Sequence, residues 1–359
     1  MKKDFLKFAC CPECGGDFSI EEFEKSDLEV QEGLLRCSKC GLVFPVIGGV
    51  PRILRPEMLT ELVAGYPEFS RKYSRQLNGP GGSASNPDLT RSLKVAKMYE
   101  YGWSIYSKVA EEYKREFDDV IDGHLTPADF KGKTVLDAGC GMGRFAYFSE
   151  GYGAREIVGF DLGEAVVTAY RDTFRDKQNA HFFQGDIYYL PLRKDIFDIV
   201  YSIGVIHHLP NPAKGVEALA ALVRTGGKIF VWVYGDSVIK YPINTLRSVT
   251  LRLPFRAVRF LSFFPALFIY AVNAFYRLAF NFTPTRGMAE HIPFHQYSDR
   301  SFAGVWWISQ DHLTVPIINY FKQGDLEGWL KTLPLKDTSI TSRYPGKAGR
   351  SWRFSGVKA

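Results

Sequence analysis

The strongest constraint on this chain is an alternation. Between Lys133 and Gly235, five short apolar runs follow one another: TVLDAG, EIVGFD, AHFFQGD, FDIVYSIG and KIFVWVYG. Helix-period stretches such as GEAVVTAYRDTFRDK and PAKGVEALAALVR lie between several of them. Short apolar strands alternating with helices call for a parallel sheet covered on both faces, so the expected fold class is α/β. A helical GDLEGWLKTL and two late runs, TSITSRY and SWRFSGVKA, are expected to complete the sheet.

The first run leads into VLDAGCGMGRF at Val135–Phe145. Its glycines, Gly139-x-Gly141-x-Gly143, are one residue too closely spaced for the dinucleotide fingerprint. No Lys-Ser or Lys-Thr follows, so the loop is not a P-loop. Three acids suit a phosphate-free nucleoside instead. Asp137 precedes the loop, Asp161 ends the second strand where a carboxylate can accept ribose hydroxyls, and Asp186 follows the third strand in reach of an adenine amino group. Carboxylates attract a cationic ligand and repel a pyrophosphate.

This order of motifs resembles the class I S-adenosylmethionine-dependent methyltransferases over Lys133–Gly235. The resemblance implies a Rossmann-like, seven-stranded, mostly parallel sheet. It implies that Asp137, Gly139, Gly141 and Gly143 lie at the methionine part of S-adenosylmethionine, Asp161 and Leu162 at the ribose, and Asp186 and Ile187 at the adenine. Ser202 and Gly204 are implied to lie under the cofactor. An N-terminal helix folds over the cofactor in such enzymes, and Trp103, within a stripe from Tyr99 to Val120 read as one amphipathic helix, is implied to flank the sulfonium. His207 and His208 of HHLPNP lie just past the fourth strand and are the candidate catalytic pair. One alternative is that one packs under the cofactor and the other caps the next helix. His291, His295 and Asp311 are further candidates.

Five of the six cysteines fall in the first forty residues. CPECG at Cys11–Gly15 and CSKCG at Cys37–Gly41 form two C-x-x-C-G turns, and Cys11, Cys14, Cys37 and Cys40 are expected to hold a structural Zn²⁺. Cys10 is left over. Through FPVIGGVPRIL the stretch resembles the zinc-ribbon activator subunits of some methyltransferases, which implies a module that braces the catalytic unit or helps receive substrate.

The expected units are 1–56, zinc ribbon; 57–130, linker and helical arm; 131–235, methyltransferase core; 236–320, a hydrophobic, basic, α-helical cap; and 321–359, the rest of the core. Within the cap, Arg247–Phe282 is apolar with Arg247, Arg252, Arg256 and Arg259 in its first half. It has three readings: a membrane span, a segment lying peripherally on an anionic membrane, or a lid over the active site. The expected function is methyl transfer to a small or lipid-linked metabolite. The alternatives are an RNA methyltransferase, suited by the net charge of +6, and a non-catalytic scaffold. Met1–Phe8 has no apolar stretch of signal-peptide length, so the expected compartment is the cytoplasm.

Overall fold

The computed structural model describes residues 1–27, 29–74, 76, 87–105, 109, 111–236, 240–280, 294, 297, 300–343 and 351–359. The chain opens with four strands, β1 (Phe18–Ser26), β2 (Glu29–Cys37), β3 (Val43–Ile47) and β4 (Val50–Ile53). Helices α1 (Pro56–Ala64), α2 (Pro67–Lys72), α3 (Pro87–Ile105), α4 (Glu111–Ile121) and α5 (Pro127–Phe130) follow. The alternating region then gives β5 (Thr134–Ala138), α6 (Arg144–Gly151), β6 (Glu156–Asp161), α7 (Ala165–Thr168), β7 (Ala180–Gly185), β8 (Phe197–Ile203), α8 (Pro212–Ala220) and β9 (Val223–Tyr234). Helices α9 (Lys240–Thr250), α10 (Phe255–Phe280) and α11 (Phe302–Thr314) form the cap, and α12 (Gln323–Thr332), β10 (Leu335–Ser342) and β11 (Ser351–Lys358) close the chain.

Among the described residues the strands make one sheet, ordered β1-β2-β3-β4-β7-β6-β5-β8-β9-β11-β10. The part from β7 to β10 is a seven-stranded, mostly parallel α/β sheet, as the resemblance implies. Within it only β11 runs against its neighbours. Every residue of β5 and of β7 is buried, as strands covered on both faces require.

The cysteine module does not stand apart from this sheet. Its last strand, β4, pairs in parallel with β7, Arg52 opposite Gln184 and Ile53 opposite Gly185. One apolar cluster runs through both parts and joins Phe5, Phe8, Phe44 and Ile53 to Phe160, Phe183 and Phe197. The pairing also covers the edge that β7 would otherwise expose.

The Tyr99–Val120 stripe is divided between two helices. On α4, Tyr113, Phe117, Val120 and Ile121 are buried in the core, whereas Tyr99 on α3 faces a cavity. Residues 106–108 and 110, between them, lie outside the described residues. Phe117 is fully buried and packs on Phe145, Phe130, Tyr201 and Tyr152, with ring centroids 5.3, 5.9, 5.8 and 6.1 Å away. Phe117→Ala is therefore expected to cost about 3–5 kcal/mol, because the surrounding rings can only partly close the cavity. Denaturant unfolding monitored by Trp fluorescence checks this.

Candidate cofactor and acceptor site

A cavity of about 660 Å³ lies beyond the carboxyl ends of β5 to β9 and is walled on the far side by α3 and the cap. Open α/β sheets hold ligands at that edge. The floor is the glycine loop. Gly139 and Cys140 donate their amides to Phe160 O at 2.8 and 2.9 Å, which folds the loop against β6. Gly139 has φ +82°, and a Cβ there would sit 2.3 Å from Val205 Cγ2, so only glycine fits.

The loop and β6 together fix Asp161. Gly141 N donates to one carboxylate oxygen at 2.9 Å and Gly163 N to the other at 2.8 Å. Burial pushes this carboxyl up, and the two amides oppose that shift. Two amides leave further lone pairs for the hydroxyls of a sugar. Leu162, beside it, lines the cavity, and its carbonyl accepts from Gln184 Nε2 at 2.8 Å. Asp186 accepts from Tyr188 N at 2.9 Å and from Arg55 Nε at 2.9 Å.

Of the residues expected at the cofactor, Gly139, Gly141, Asp161, Leu162, Asp186, Ile187 and Gly204 line the cavity. Asp137, Gly143 and Ser202 lie behind that wall. Ser202 Oγ donates to Ala138 O at 2.9 Å and ties β8 to β5, while Gly143 begins α6. Trp103 has a side chain outside the described residues, although the helix that carries it is placed over the cavity. Neighbouring Gly102 shows how close that helix lies to the cap, because a Cβ there would fall 1.8 Å from Trp307.

The two histidines separate. His208 lines the cavity. Its Nε2 lies 2.7 Å from the Tyr99 hydroxyl and its Nδ1 2.8 Å from the Ile317 carbonyl. A carbonyl only accepts, so Nδ1 carries the proton and Nε2 accepts from Tyr99. Burial lowers the His208 pKa to about 4. His207 is fully buried behind it, stacked on Tyr234 with centroids 3.9 Å apart, and burial drives its pKa well down. Asn211 of HHLPNP caps α8 by accepting from Lys214 N. His291 and His295 lie outside the described residues.

Two further charged groups complete the wall, Glu116, which the sequence did not single out, and Asp311, which it did. Glu116 lies between Arg144, at 3.2 Å, and Arg300, at 2.9 Å. Burial pushes its carboxyl up, but the two guanidinium groups outweigh this and hold it at about 2. Asp311 on α11 lines the cavity with Oδ1 unpartnered among the described residues. Burial raises it to about 6 against the pull of Tyr99, Arg247 and Tyr234.

The four cysteine sulfurs lie within 4.8 Å of one another. Cys11 Sγ is 3.6 Å from Cys40 Sγ and Cys14 Sγ is 3.4 Å from Cys37 Sγ. A tetrahedron of Zn–S bonds of about 2.3 Å has edges of roughly 3.8 Å. No disulfide is formed, and the amides of Lys39 and Cys40 point at Cys37 Sγ, as suits a thiolate. The donor set thus fits a closed structural zinc site. Cys10 stands outside it, its amide bonded to Pro191 O.

Comparison with known proteins agrees with this architecture. Residues 136–231 match the Methyltransferase domain family, and residues 2–49 match the Trm112p-like protein family. The tRNA U34 carboxymethyltransferase of Idiomarina loihiensis is 35% identical over 106 residues, 28% of this chain and 32% of that protein. Relatives with the same name occur in Pseudoalteromonas, Hahella and Shewanella. The ubiquinone biosynthesis O-methyltransferase of Coxiella burnetii is 33% identical over 101 residues, 28% of this chain and 43% of that protein. Among solved structures, a Haloferax volcanii complex of the Trm112 methyltransferase activator with a methyltransferase is 14% identical with TM-score 0.43. It covers 73% of this chain and 96% of that one. The chain spans between about a third and under half the length of the curated relatives it matches.

These names correct two expectations. The acceptor expected from sequence, a small or lipid-linked metabolite, gives way to the RNA alternative, because the recurring relatives are named for tRNA. The core region is similar both to relatives named for tRNA and to one named for ubiquinone biosynthesis, so its motifs do not specify the acceptor. Peripheral membrane contact through 247–282 is also withdrawn. Phe255–Phe275 has the length and apolarity of a span; its Phe263 packs on Phe302 and Trp306 of α11 and its Pro265, Phe268 and Ile269 line the cavity, while Phe260, Phe264 and Phe275 are exposed.

Two predictions follow from the geometry. Asp137 is fully buried with Oδ2 unpartnered among the described residues, and burial raises its carboxyl to about 7. The folded chain thus holds this proton from the ordinary value of 3.8 up to about 7, and the stability it confers is lost as pH rises through that window. Asp137→Asn should gain thermal stability relative to wild type between pH 4 and 7 and hold a constant difference above that. For the metal, elemental analysis of wild type should find about one zinc per chain, and the double variant Cys37→Ser, Cys40→Ser should lose it and melt earlier.

Proposed function

We propose that this chain is an S-adenosylmethionine-dependent methyltransferase whose acceptor is RNA, specifically a tRNA. The observation that carries the donor assignment is Asp161, held by Gly141 N and Gly163 N at the edge of the cavity. That arrangement offers carboxylate lone pairs to ribose hydroxyls and provides no phosphate cradle. The acceptor assignment is supported by the relatives named for tRNA and by the net charge of +6. An acceptor of this kind is consistent with a cytoplasmic protein.

The chemistry proposed is an in-line displacement at the sulfonium methyl, in which alignment and exclusion of water supply much of the rate. The cap supplies the exclusion: α9, α10 and α11 all contribute to the cavity wall. Tyr99 and His208 tie α3 to the end of β8 and serve to hold the lid helix down. Trp103 on the same helix is proposed to flank the sulfonium. With a pKa near 4, His208 is a weak proton acceptor at neutral pH, and His207 lies behind it. Asp311, a cavity-lining residue raised by burial to about 6 and with its buried Oδ1 unpartnered among the described residues, is the better-placed base for an acceptor that must lose a proton.

Calorimetry with S-adenosylmethionine tests the donor, and Asp161→Ala should weaken binding at least tenfold, a loss of about 1.4 kcal/mol. Transfer of labelled methyl to total tRNA, with quinones and lipid extracts as comparison acceptors, tests the rest. Label should enter tRNA, with affinity falling steeply as salt rises. Label confined to the lipid fraction overturns the acceptor.

A further inference from the structure

Two arginines leave the cysteine module and end against the cofactor wall. Arg52 lies on β4 and is 1% exposed. Its Nη1 donates to Glu164 Oε1 at 2.8 Å and to Gln184 Oε1 at 2.7 Å, and its Nη2 donates to the Tyr66 hydroxyl at 3.0 Å. Gln184 passes the contact on, since its Nε2 donates to the carbonyl of Leu162. Arg55 follows three residues later. Its Nε donates to Asp186 Oδ2 at 2.9 Å and its Nη2 to Tyr188 O at 3.0 Å. Its guanidinium lies 5.5 Å from the centroid of the Tyr189 ring. The pairing of β4 with β7 sets Arg52 opposite Gln184, and Arg55 follows two residues past the end of β4, at the start of α1.

We propose that Arg55 is a positioning residue for the cofactor's adenosine end, acting through Asp186, with Arg52 bracing the adjoining Leu162 loop. This rests on the donor reading above. A carboxylate has about four acceptor sites. On Asp186 one is taken by Tyr188 N and one by Arg55 Nε; Asp186 lines the cavity and Arg55 does not. The remaining lone pairs are left for an exocyclic amino group in the cavity to donate to. Without Arg55 the carboxylate keeps one anchor and regains rotation about its side chain. The module therefore does more than cover an edge: it orients a group that touches the donor. Arg55 is about two-fifths exposed, so the effect is one of geometry more than of buried charge.

The test is S-adenosylmethionine binding by the full chain, read by calorimetry. Arg55→Ala should raise Kd roughly tenfold, the scale seen when an outer partner of a binding ligand is removed. Arg55→Lys should fall between, because it keeps the charge without the guanidinium fork. Asp186→Ala should raise Kd as well, and adding Arg55→Ala to it should cause no further loss. That last result separates positioning through Asp186 from general support of the fold. Zinc content and melting temperature of Arg55→Lys should match wild type. Wild-type Kd in Arg55→Ala, or losses that multiply in the double variant, overturn the proposal. Absence of binding by wild type overturns the donor reading, and this inference with it.

Discussion

A four-residue strand joins the two halves of this molecule. β4 adds to the free edge of β7 through a parallel ladder, and the Ala9–Leu192 bridge with the Cys10–Pro191 and Arg193–Phe8 backbone hydrogen bonds makes a second seam. The apolar cluster that runs from Phe5 and Phe44 to Phe183 and Phe197 fills the space between the two surfaces so joined. The same pairing delivers Arg52 and Arg55 to the rim of the cavity. A zinc site that organises β1 to β4 is thus coupled, by backbone hydrogen bonds, to the shape of a pocket on another part of the chain.

The second joint is the lid. A cavity at the end of a sheet is open to water unless something covers it, and here α3 covers it together with α9, α10 and α11. The Tyr99–His208–Ile317 hydrogen-bond chain fastens one lid helix to the sheet and to the loop between α11 and α12. The close approach of Gly102 to Trp307 fastens that helix to the cap. Buried titratable groups collect at this seam because the lid takes them out of water. Burial moves His208 down and Asp311 up, and the two become different kinds of group from their exposed counterparts.

Much of this was legible in the sequence, and for a common reason. The strand–helix alternation, the glycine spacing with Asp161 twenty residues on, and the two C-x-x-C-G turns are all local patterns. Each sets chemistry within one or two adjacent elements. The continuous helix read across Tyr99–Val120 was less secure, since a periodic stripe records which side is apolar and does not record where the axis changes. The acceptor was the furthest from view. The core motifs concern the donor, and the side chains proposed to face an acceptor come from a cap whose composition also suits a membrane.

What the sequence alone determined was the sheet, its donor chemistry and the metal centre, because short-range spacing decides them. What only the tertiary structure decided was which candidates face the cavity. It separated His208 from His207, moved Ser202 and Asp137 behind the wall, and placed Arg55 on Asp186 from 131 positions away. It also turned an apolar helix into a cavity wall. These outcomes depend on strand order and packing, and contacts set by the folding of distant segments leave no periodic trace in the chain.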